Sequence, residues 1–366
     1  MSISDDFNKM PEGFNYSQAV AEADRCLLCH DAPCSKGCPA DTKPGDFIRK
    51  FRLRNVTGAI RTIKENNILG GACGVLCPTE RLCEKECSAK LKSLSHPDER
   101  ERPIQIGKIQ RFLVEHSWEM GFKVLESDEA KAEKVAIVGS GPAGLSCAAE
   151  LGKAGYKPTV FEAKADAGGM IRYGVVPFRF DLDFLGKEME DIKSLGVEFK
   201  FNSRIEGQSG VEDLLNQGFS AVFIATGLWS GSRLETETVR PETVFDSIDY
   251  LSGLRDGRVD QFSKAVKGKT VAVIGGGATA MDCIESAVKL GAKDVYLVYR
   301  RSFLQMPAEL PERLQSLQAG VHYLLLNQPI DFVSNSDGSL RGLKLVRTKL
   351  GDADQSGRRK PVEIIG

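Results

Sequence analysis

Eight of the chain's ten cysteines fall between residues 26 and 87. Thiols packed that densely must be cross-linked, bound to metal or buried as inert side chains, and each choice restricts the fold differently. They form two groups, Cys26-x2-Cys29-x4-Cys34-x3-Cys38-Pro39 and Cys73-x3-Cys77-Pro78-x5-Cys83-x3-Cys87. A disulfide framework needs an oxidising compartment, yet the N-terminus, MSISDDFNKM, carries no signal-peptide pattern. Structural zinc sites usually come as CxxC pairs separated by about 12–20 residues. Here single thiols step by three, five and four residues, and each group contains a Cys-Pro. That is the grammar of a two-cluster ferredoxin run, in which the fourth Cys ligates the other cluster. Iron–sulfur fits best, because a cubane needs soft thiolates converging from several directions. Eight thiols suit two four-ligand clusters, but the count does not say which eight ligands serve. Cys73 as a packed thiol, and a non-Cys ligand in the second cluster, both stay open.

Three blocks follow one another along the chain. Residues 1–125 hold the thiols and helical apolar spacing, as in Phe47, Ile48, Phe51, Ile60 and Ile63. Within them the polar run 88–103 reads as a surface loop, and the charged stretch 125–134 as a linker into the next domain. From Lys134 the pattern becomes βαβ: KVAIVG a strand, GLSCAAELGKAG a helix ending in Gly, KPTVFEA a second strand. The same grammar returns near residue 269 with KTVAVIG, TAMDCIESAVKLGA and DVYLVYR. We therefore expect an α-helical iron–sulfur domain (1–125) followed by two α/β Rossmann-like dinucleotide-binding domains (126–262 and 263–366).

The first α/β unit opens with Gly139-x-Gly141-x-x-Gly144 between strand and helix, and Glu162 ends the next strand 18 residues after Gly144. Such glycines allow a tight turn, close approach of a pyrophosphate and helix–strand packing, while the carboxylate accepts from ribose hydroxyls. Gly168-Gly169, together with Ala225-Thr226-Gly227 after the strand AVFI, follows FAD-domain rather than NAD-domain grammar. The second unit reads Gly275-x-Gly277-Ala-Thr279-Ala280, with Ala at the third position. Where NAD-binding chains place a ribose-binding carboxylate, this one reads Tyr299-Arg300-Arg301. A guanidinium grips a 2′-phosphate bidentately, so the site leans to NADPH over NADH; the alternative for the Arg pair is a solvated strand end.

Other features carry less. Cys147 and Cys283 each lie eight residues after the first Gly of their own motif, a shared register that argues for packing against a sheet. No Cys-x-x-Cys occurs in either α/β region, which counts against a disulfide reductase. None of the four His has an evident catalytic or ligating partner, and no residue stands out as an acid–base catalyst. Arg49, Lys50, Arg52 and Arg54 read as a solvated helix face, with partner docking as the alternative. Forty-nine basic and fifty acidic residues leave a net charge of −1, which argues against nucleic acid or a membrane surface. No apolar run reaches the roughly 18 residues of a membrane helix, so a cytoplasmic protein is expected.

Two nucleotide domains plus clusters define a function class: hydride comes from a nicotinamide, a flavin splits the pair, and iron–sulfur centres carry electrons singly. The motifs CLLCHDAPC (26–34), GCPADTKPGDFIR (37–49), ENNILGGACGVLCPTERLC (65–83), IGKIQRF (106–112), GGMIRYGVVPFR (168–179) and GGGATAMD (275–282) resemble the flavoprotein family of the glutamate synthase small subunit. Within that family the chain looks most like the electron-input subunits of bacterial NAD(P)-dependent dihydropyrimidine dehydrogenase.

The resemblance implies two [4Fe-4S] clusters with interleaved ligands, Cys26, Cys29, Cys34 and Cys87 for one and Cys38, Cys77, Cys83 and Gln110 for the other, leaving Cys73 spare. Gln110 matches the dihydropyrimidine branch, whereas the glutamate-synthase branch is expected to carry Glu there. It also implies FAD on Gly139, Gly141, Gly144, Glu162, Gly169 and Arg179. Arg179 follows the family's Pro-x-Phe-Arg pattern, although here Pro177 stands one position later. Ala278 replaces the Asp of the common GGGDTA. The implied partner is an FMN-containing subunit that reduces uracil or thymine to the 5,6-dihydro form; a glutamate-synthase-type electron donor and a non-catalytic redox module are the alternatives. In this family the chain returns to the FAD domain after the NAD(P) domain, and a sequence ending at Gly366 in KPVEIIG is expected to lack that returning segment.

Overall fold

The computed structural model describes residues 9–90, 102–231, 234, 236, 242–355 and 357–364. Most of the polar run 88–103, at 91–101, and the first eight residues of the chain lie outside the described residues. The chain divides into two compact units, Lys9–Arg172 with Phe178–Gly227, and Tyr173–Pro177 with Leu228–Gly366.

The first unit starts with six helices: α1 (Tyr16–Asp24), α2 (Pro33–Lys36), α3 (Pro44–Arg52), α4 (Val56–Asn66), α5 (Gly70–Leu76) and α6 (Ile106–Glu119). Their starts are written locally. Asn15 accepts from the Gln18 amide while the Gln18 side chain accepts from the Asn15 amide, a reciprocal cap for α1. Asn55 caps α4 through the Gly58 amide. The apolar stripe expected from the sequence is the core: Phe47, Phe51, Ile60, Ile63, Ile109 and Leu113 are fully buried.

The helical region continues into β1 (Lys134–Val138), α7 (Pro142–Lys153), β2 (Lys157–Phe161), α8 (Met170–Tyr173), α9 (Leu182–Ser194), β3 (Glu198–Lys200), α10 (Gly207–Asn216) and β4 (Ala221–Ile224). The four strands form a parallel sheet ordered β3-β2-β1-β4. In a doubly wound sheet of this kind ligands bind beyond the carboxyl ends of the strands, where the strand order reverses. Here that point is the end of β1, flanked by β2 and β4, and it carries Gly139.

The second unit contains α11 (Ser247–Arg255), α12 (Val259–Val266), β5 (Thr270–Ile274), α13 (Ala278–Lys289), β6 (Asp294–Tyr299), α14 (Leu310–Gln318) and β7 (His322–Leu325). Strands β5, β6 and β7 pair in parallel in that order. Then comes an antiparallel ribbon that the βαβ reading did not include: β8 (Asn327–Ser334), β9 (Leu340–Ala353) and β10 (Arg359–Glu363). Leu326, with φ 56°, makes the turn from β7 into β8.

Two close backbone approaches set the geometry of the helical region. A Cβ added at Gly74 of α5 would stand 2.7 Å from both the amide nitrogen of Arg111 and the carbonyl oxygen of Gly107 on α6. A Cβ at Gly107 would in turn meet the Gly74 carbonyl at 2.9 Å. Helices α5 and α6 therefore touch backbone to backbone. Because backbone atoms cannot swing aside, Gly74→Ala is expected to destabilise the fold by about 1–3 kcal/mol, the usual cost of overpacking, measured as a lowered thermal midpoint.

Candidate functional site

Cys26, Cys29, Cys34 and Cys87 line one pocket, with Leu27, Leu28, Ala32, Ile104 and Ile106 around them. Residues more than fifty positions apart meet because α1, α3 and the 102–106 segment share one core. The turn between Cys26 and Cys29 puts Leu28 in the left-handed region at φ 53°, a conformation a bulky residue adopts only where its surroundings enforce it. The enforcing groups are on α3. Arg52 donates to the Cys26 carbonyl at 2.5 Å and Arg49 to the Cys29 carbonyl at 3.4 Å. The basic cluster is thus more than a solvated face: of its members, Arg49 and Arg52 tie down the thiol turn, Lys50 reaches Thr62, and Arg54 lies near Asp24 at 4.0 Å.

The second pocket is lined by Cys38, Cys73, Cys77, Cys83 and Gln110, with Gly74, Thr79, Leu82 and Gly107. Gln110 is buried on α6 and donates its side-chain amide to the Gly70 carbonyl at 2.7 Å. Cys73, set aside on the sequence, lies inside this pocket, beside both Cys77 and Gln110. Five side chains thus surround a site that needs four ligands.

The chemistry of the two thiol sets suits a positively charged iron–sulfur core. Burial, with the neighbouring Cys87 and Cys26, pushes the Cys34 thiol up to about 11. Burial, with Glu84 and Cys38, pushes Cys83 up to about 12. Cys77 is raised chiefly by its hydrogen bond to the Cys73 sulfur, and that same bond holds Cys73 down at about 7. Buried thiolates that repel one another are stabilised by a cation between them.

The first glycine turn separates the roles of its residues. Gly139, at φ 102°, makes the turn, and a Cβ on it would strike the Ala225 carbonyl oxygen. A Cβ on Gly144 would strike the Gly139 carbonyl oxygen, so Gly144 serves helix–strand packing. At Gly141 a Cβ would meet nothing closer than the Gly169 Cα at 3.9 Å, which leaves a cradle where a phosphate can approach. Gly169 closes over that cradle, held by a Gly168 amide bond to the Ser140 carbonyl at 2.9 Å. Glu162 is buried against the same turn. Its Oε2 accepts from the Ser140 amide at 3.0 Å and the Ser140 hydroxyl at 2.5 Å, and its Oε1 from the Lys164 amide. Ser140 was not singled out on the sequence; its place between two motif glycines was the available signal. Arg179 is half-buried on the segment between α8 and α9.

The second turn is simpler. Gly277 precedes α13, its Cβ direction open apart from Pro307 at 3.9 Å, and Thr279 is exposed in the helix's first turn while Ala280 is buried. Gly275 takes φ 137°, and Gly276 packs on the Tyr299 ring, which a Cβ would meet at 2.7 Å. Arg300 is exposed at the end of β6, while Arg301 donates to the Arg359 carbonyl at 2.9 Å. The Arg pair therefore splits: Arg301 fastens the antiparallel ribbon and Arg300 faces solvent. Cys283 is buried and Cys147 half-buried, both thiols raised chiefly by burial, as packed side chains should be.

Glu162→Gln removes the charge from the acceptor of two turn hydrogen bonds. A hydrogen bond to a charged group contributes about 1.5–3 kcal/mol, so bound FAD is expected to be held about ten- to a hundredfold more weakly, measured by flavin release on dilution.

Residues 3–122 match the family described as dihydropyrimidine dehydrogenase domain II, 4Fe-4S cluster. Residues 133–356 match the family described as pyridine nucleotide-disulphide oxidoreductase. The chain is 31% identical over 369 residues to the NADPH glutamate synthase small chain of Escherichia coli (strain K12), spanning 99% of this chain and 76% of that protein. It is 36% identical over 314 residues to the NAD-dependent dihydropyrimidine dehydrogenase subunit PreT of the same strain, spanning 86% of this chain and 73% of that one. Among solved structures, Mycobacterium tuberculosis FprA in complex with NADPH shares the fold at a TM-score of 0.54 and 18% identity, over 64% of this chain and 67% of that one. The chain belongs to the pyridine nucleotide-disulphide oxidoreductases, in the group of the glutamate synthase small chain and PreT.

Proposed function

We propose that this chain is an NAD(P)H-oxidising electron-input subunit that serves a partner reducing uracil or thymine to the 5,6-dihydro form. One observation carries the reading: two thiol-lined pockets and a glycine turn with its acidic strand end stand in a single compact unit. When bound, FAD takes the hydride pair from a nicotinamide, and two 4Fe-4S clusters carry the electrons away one at a time. In this assignment Cys26, Cys29, Cys34 and Cys87 hold one cluster, and Cys38, Cys77, Cys83 and Gln110 the other. Gly139, Gly141, Gly144, Glu162, Gly169 and Arg179 hold FAD, and Gly275, Gly277, Thr279, Ala280, Arg300 and Arg301 serve the nicotinamide dinucleotide in a second Rossmann-like domain. No side chain needs to act as acid or base, because hydride transfer to flavin requires positioning above all.

The partner would carry the FMN and the pyrimidine site. Leu27, at 63% exposure, and Leu28 lie on the rim of the first pocket, and Leu53, 71% exposed, follows the Arg52 that binds the Cys26 carbonyl. Exposed leucines against that pocket suit the apolar centre of a protein interface. No helix among the described residues is long and apolar enough to cross a membrane. The second reading, delivery of electrons to a glutamate-synthase-type partner, is favoured by the 99% coverage of this chain in its match to the glutamate synthase small chain. Gln110, in place of the Glu expected in that branch, favours the first.

Anaerobically purified protein is expected to be brown-yellow, with about eight Fe per chain, FAD, and NADPH-dependent reduction of an artificial acceptor. It should not reduce uracil until a pyrimidine-reducing partner is added; colourless, zinc-loaded protein would overturn the reading. Cys77→Ser is expected to lose about half the iron, whereas Cys73→Ser keeps it all, measured by metal analysis. Arg300→Ala should raise KM for NADPH about ten- to a hundredfold, the loss of one charge-assisted contact of about 1.5–3 kcal/mol. KM for NADH should stay unchanged.

A further inference from the structure

Helix α9 lies in the α/β part of the first unit, yet one of its side chains reaches into the helical part. Glu188 is fully buried, and its Oε1 accepts from two consecutive backbone amides of α5, Gly71 at 2.8 Å and Ala72 at 3.0 Å. Those amides directly precede Cys73. The carbonyl just before them, on Gly70, accepts from the Gln110 side chain. The first turn of α5 is thus gripped on one side by Glu188 and on the other by a residue of the second thiol pocket. The other carboxyl oxygen of Glu188, Oε2, is buried with no hydrogen-bond partner among the described residues.

The charged surroundings leave that oxygen uncompensated. Lys64 of α4, itself buried, gives its ammonium to Asp191 at 2.7 Å, and the Trp118 indole of α6 donates to the same Asp191 oxygen at 2.9 Å. Arg111 of α6 lies over the Phe184 ring and binds Glu115 at 3.0 Å. Lys187 of α9 lies over the Trp118 ring. On α7, Lys153 and Glu150 bond to each other. Helix α5 itself has no charged side chain, Cys73 being its only titratable group before Cys77. Burial, helped by Asp191 and opposed by the two amides and Lys64, pushes the Glu188 carboxyl up to about 8.

We propose that Glu188 is the proton-accepting positioning residue of the second thiol pocket: where its carboxyl is ionised, an electron that arrives in the pocket draws one proton onto Glu188 Oε2. The proposal rests on the reading of that pocket as a 4Fe-4S site. In the balance, one electron enters from the NAD(P)H-reduced side, one proton enters from solvent, and the O–H bond at Oε2 is the only bond formed. The added negative charge of the pocket is thereby cancelled within the same low-dielectric region, where an uncompensated charge is costly. The proton has a route: Asp191, three residues further along the same face of α9, is 26% exposed.

The sign follows from linkage. An electron in the pocket favours the protonated carboxyl, so the pKa of Glu188 rises further on reduction. Below about 8 the carboxyl is protonated in both redox states and the midpoint is flat. Above it, reduction takes up a proton and the midpoint falls, by up to a tenfold change in the reduced-to-oxidised ratio per pH unit.

The test is a potentiometric EPR titration of the purified holoprotein across pH 6–10. The expected result is two cluster signals, one with a pH-invariant midpoint and one whose midpoint falls above about pH 8. Glu188→Gln keeps an oxygen for the Gly71 and Ala72 amides but cannot titrate. It should retain the full iron content and make the second midpoint pH-invariant, at its low-pH value. Glu188→Asp, which still titrates, should restore a pH dependence with a displaced onset. Two wild-type signals with pH-invariant midpoints would overturn this inference while leaving the cluster assignment intact, and so would a Glu188→Gln protein that keeps the slope. Protein without iron or cluster signals would instead sink the assignment on which it rests.

Discussion

The contact between Gly74 and Gly107 is the constraint on which the thiol region depends. Helices normally pack about 8–10 Å apart, with side chains between them. Where two glycines face each other the backbones meet, and whatever each helix presents beside the contact is drawn to one place. Cys73 on α5, Cys77 just past its end, and Gln110 on α6 line one pocket for that reason. The same approach lets Gln110 reach the Gly70 carbonyl and leaves the first turn of α5 facing α9. A Cβ at Gly71 would already meet the Phe184 ring at 2.6 Å, so α9 is fitted as tightly to α5 as α6 is. The iron–sulfur and flavin regions of the first unit therefore share one packed seam.

How far the sequence reveals this depends on how local each signal is. The strands and helices of both βαβ segments were legible because a strand, a glycine turn and an amphipathic helix each declare themselves within about a dozen residues. Glu162 was legible because its distance from the glycine turn follows from the length of one helix and one strand. Other features depend on how elements dock. Glu188 is 117 residues from the Gly71 amide it binds, and on the sequence it is one acidic residue of an ordinary amphipathic helix. Arg49 and Arg52 read as a solvated basic face because nothing local shows that the 26–29 turn lies against α3. That Cys73 lines the second pocket beside Cys77 and Gln110 was not legible, because the Cys spacing alone does not say which face of a short helix is turned inward. The ribbon of β8, β9 and β10 escaped because a long antiparallel strand is a matter of register between distant segments.

The two glycine turns show how one motif is adapted. In the first, a buried carboxylate is tied to the turn itself through Ser140, so the acidic strand end and the glycine loop are held as one piece. In the second, an aromatic ring takes that supporting place: Gly276 lies on Tyr299, and the Tyr299 hydroxyl donates to the Gln305 carbonyl. The residues after Tyr299 are then free for other work, one as an anchor for the ribbon and one facing solvent.

The guanidinium groups on the first thiol turn have a consequence for assembly. Arg52 holds the Cys26 carbonyl and Arg49 the Cys29 carbonyl, both from α3. The shape of the turn is thus supplied from outside it, by a helix of the same core. A ligand loop braced in this way has its conformational cost met while the chain folds, not when its sulfurs are engaged.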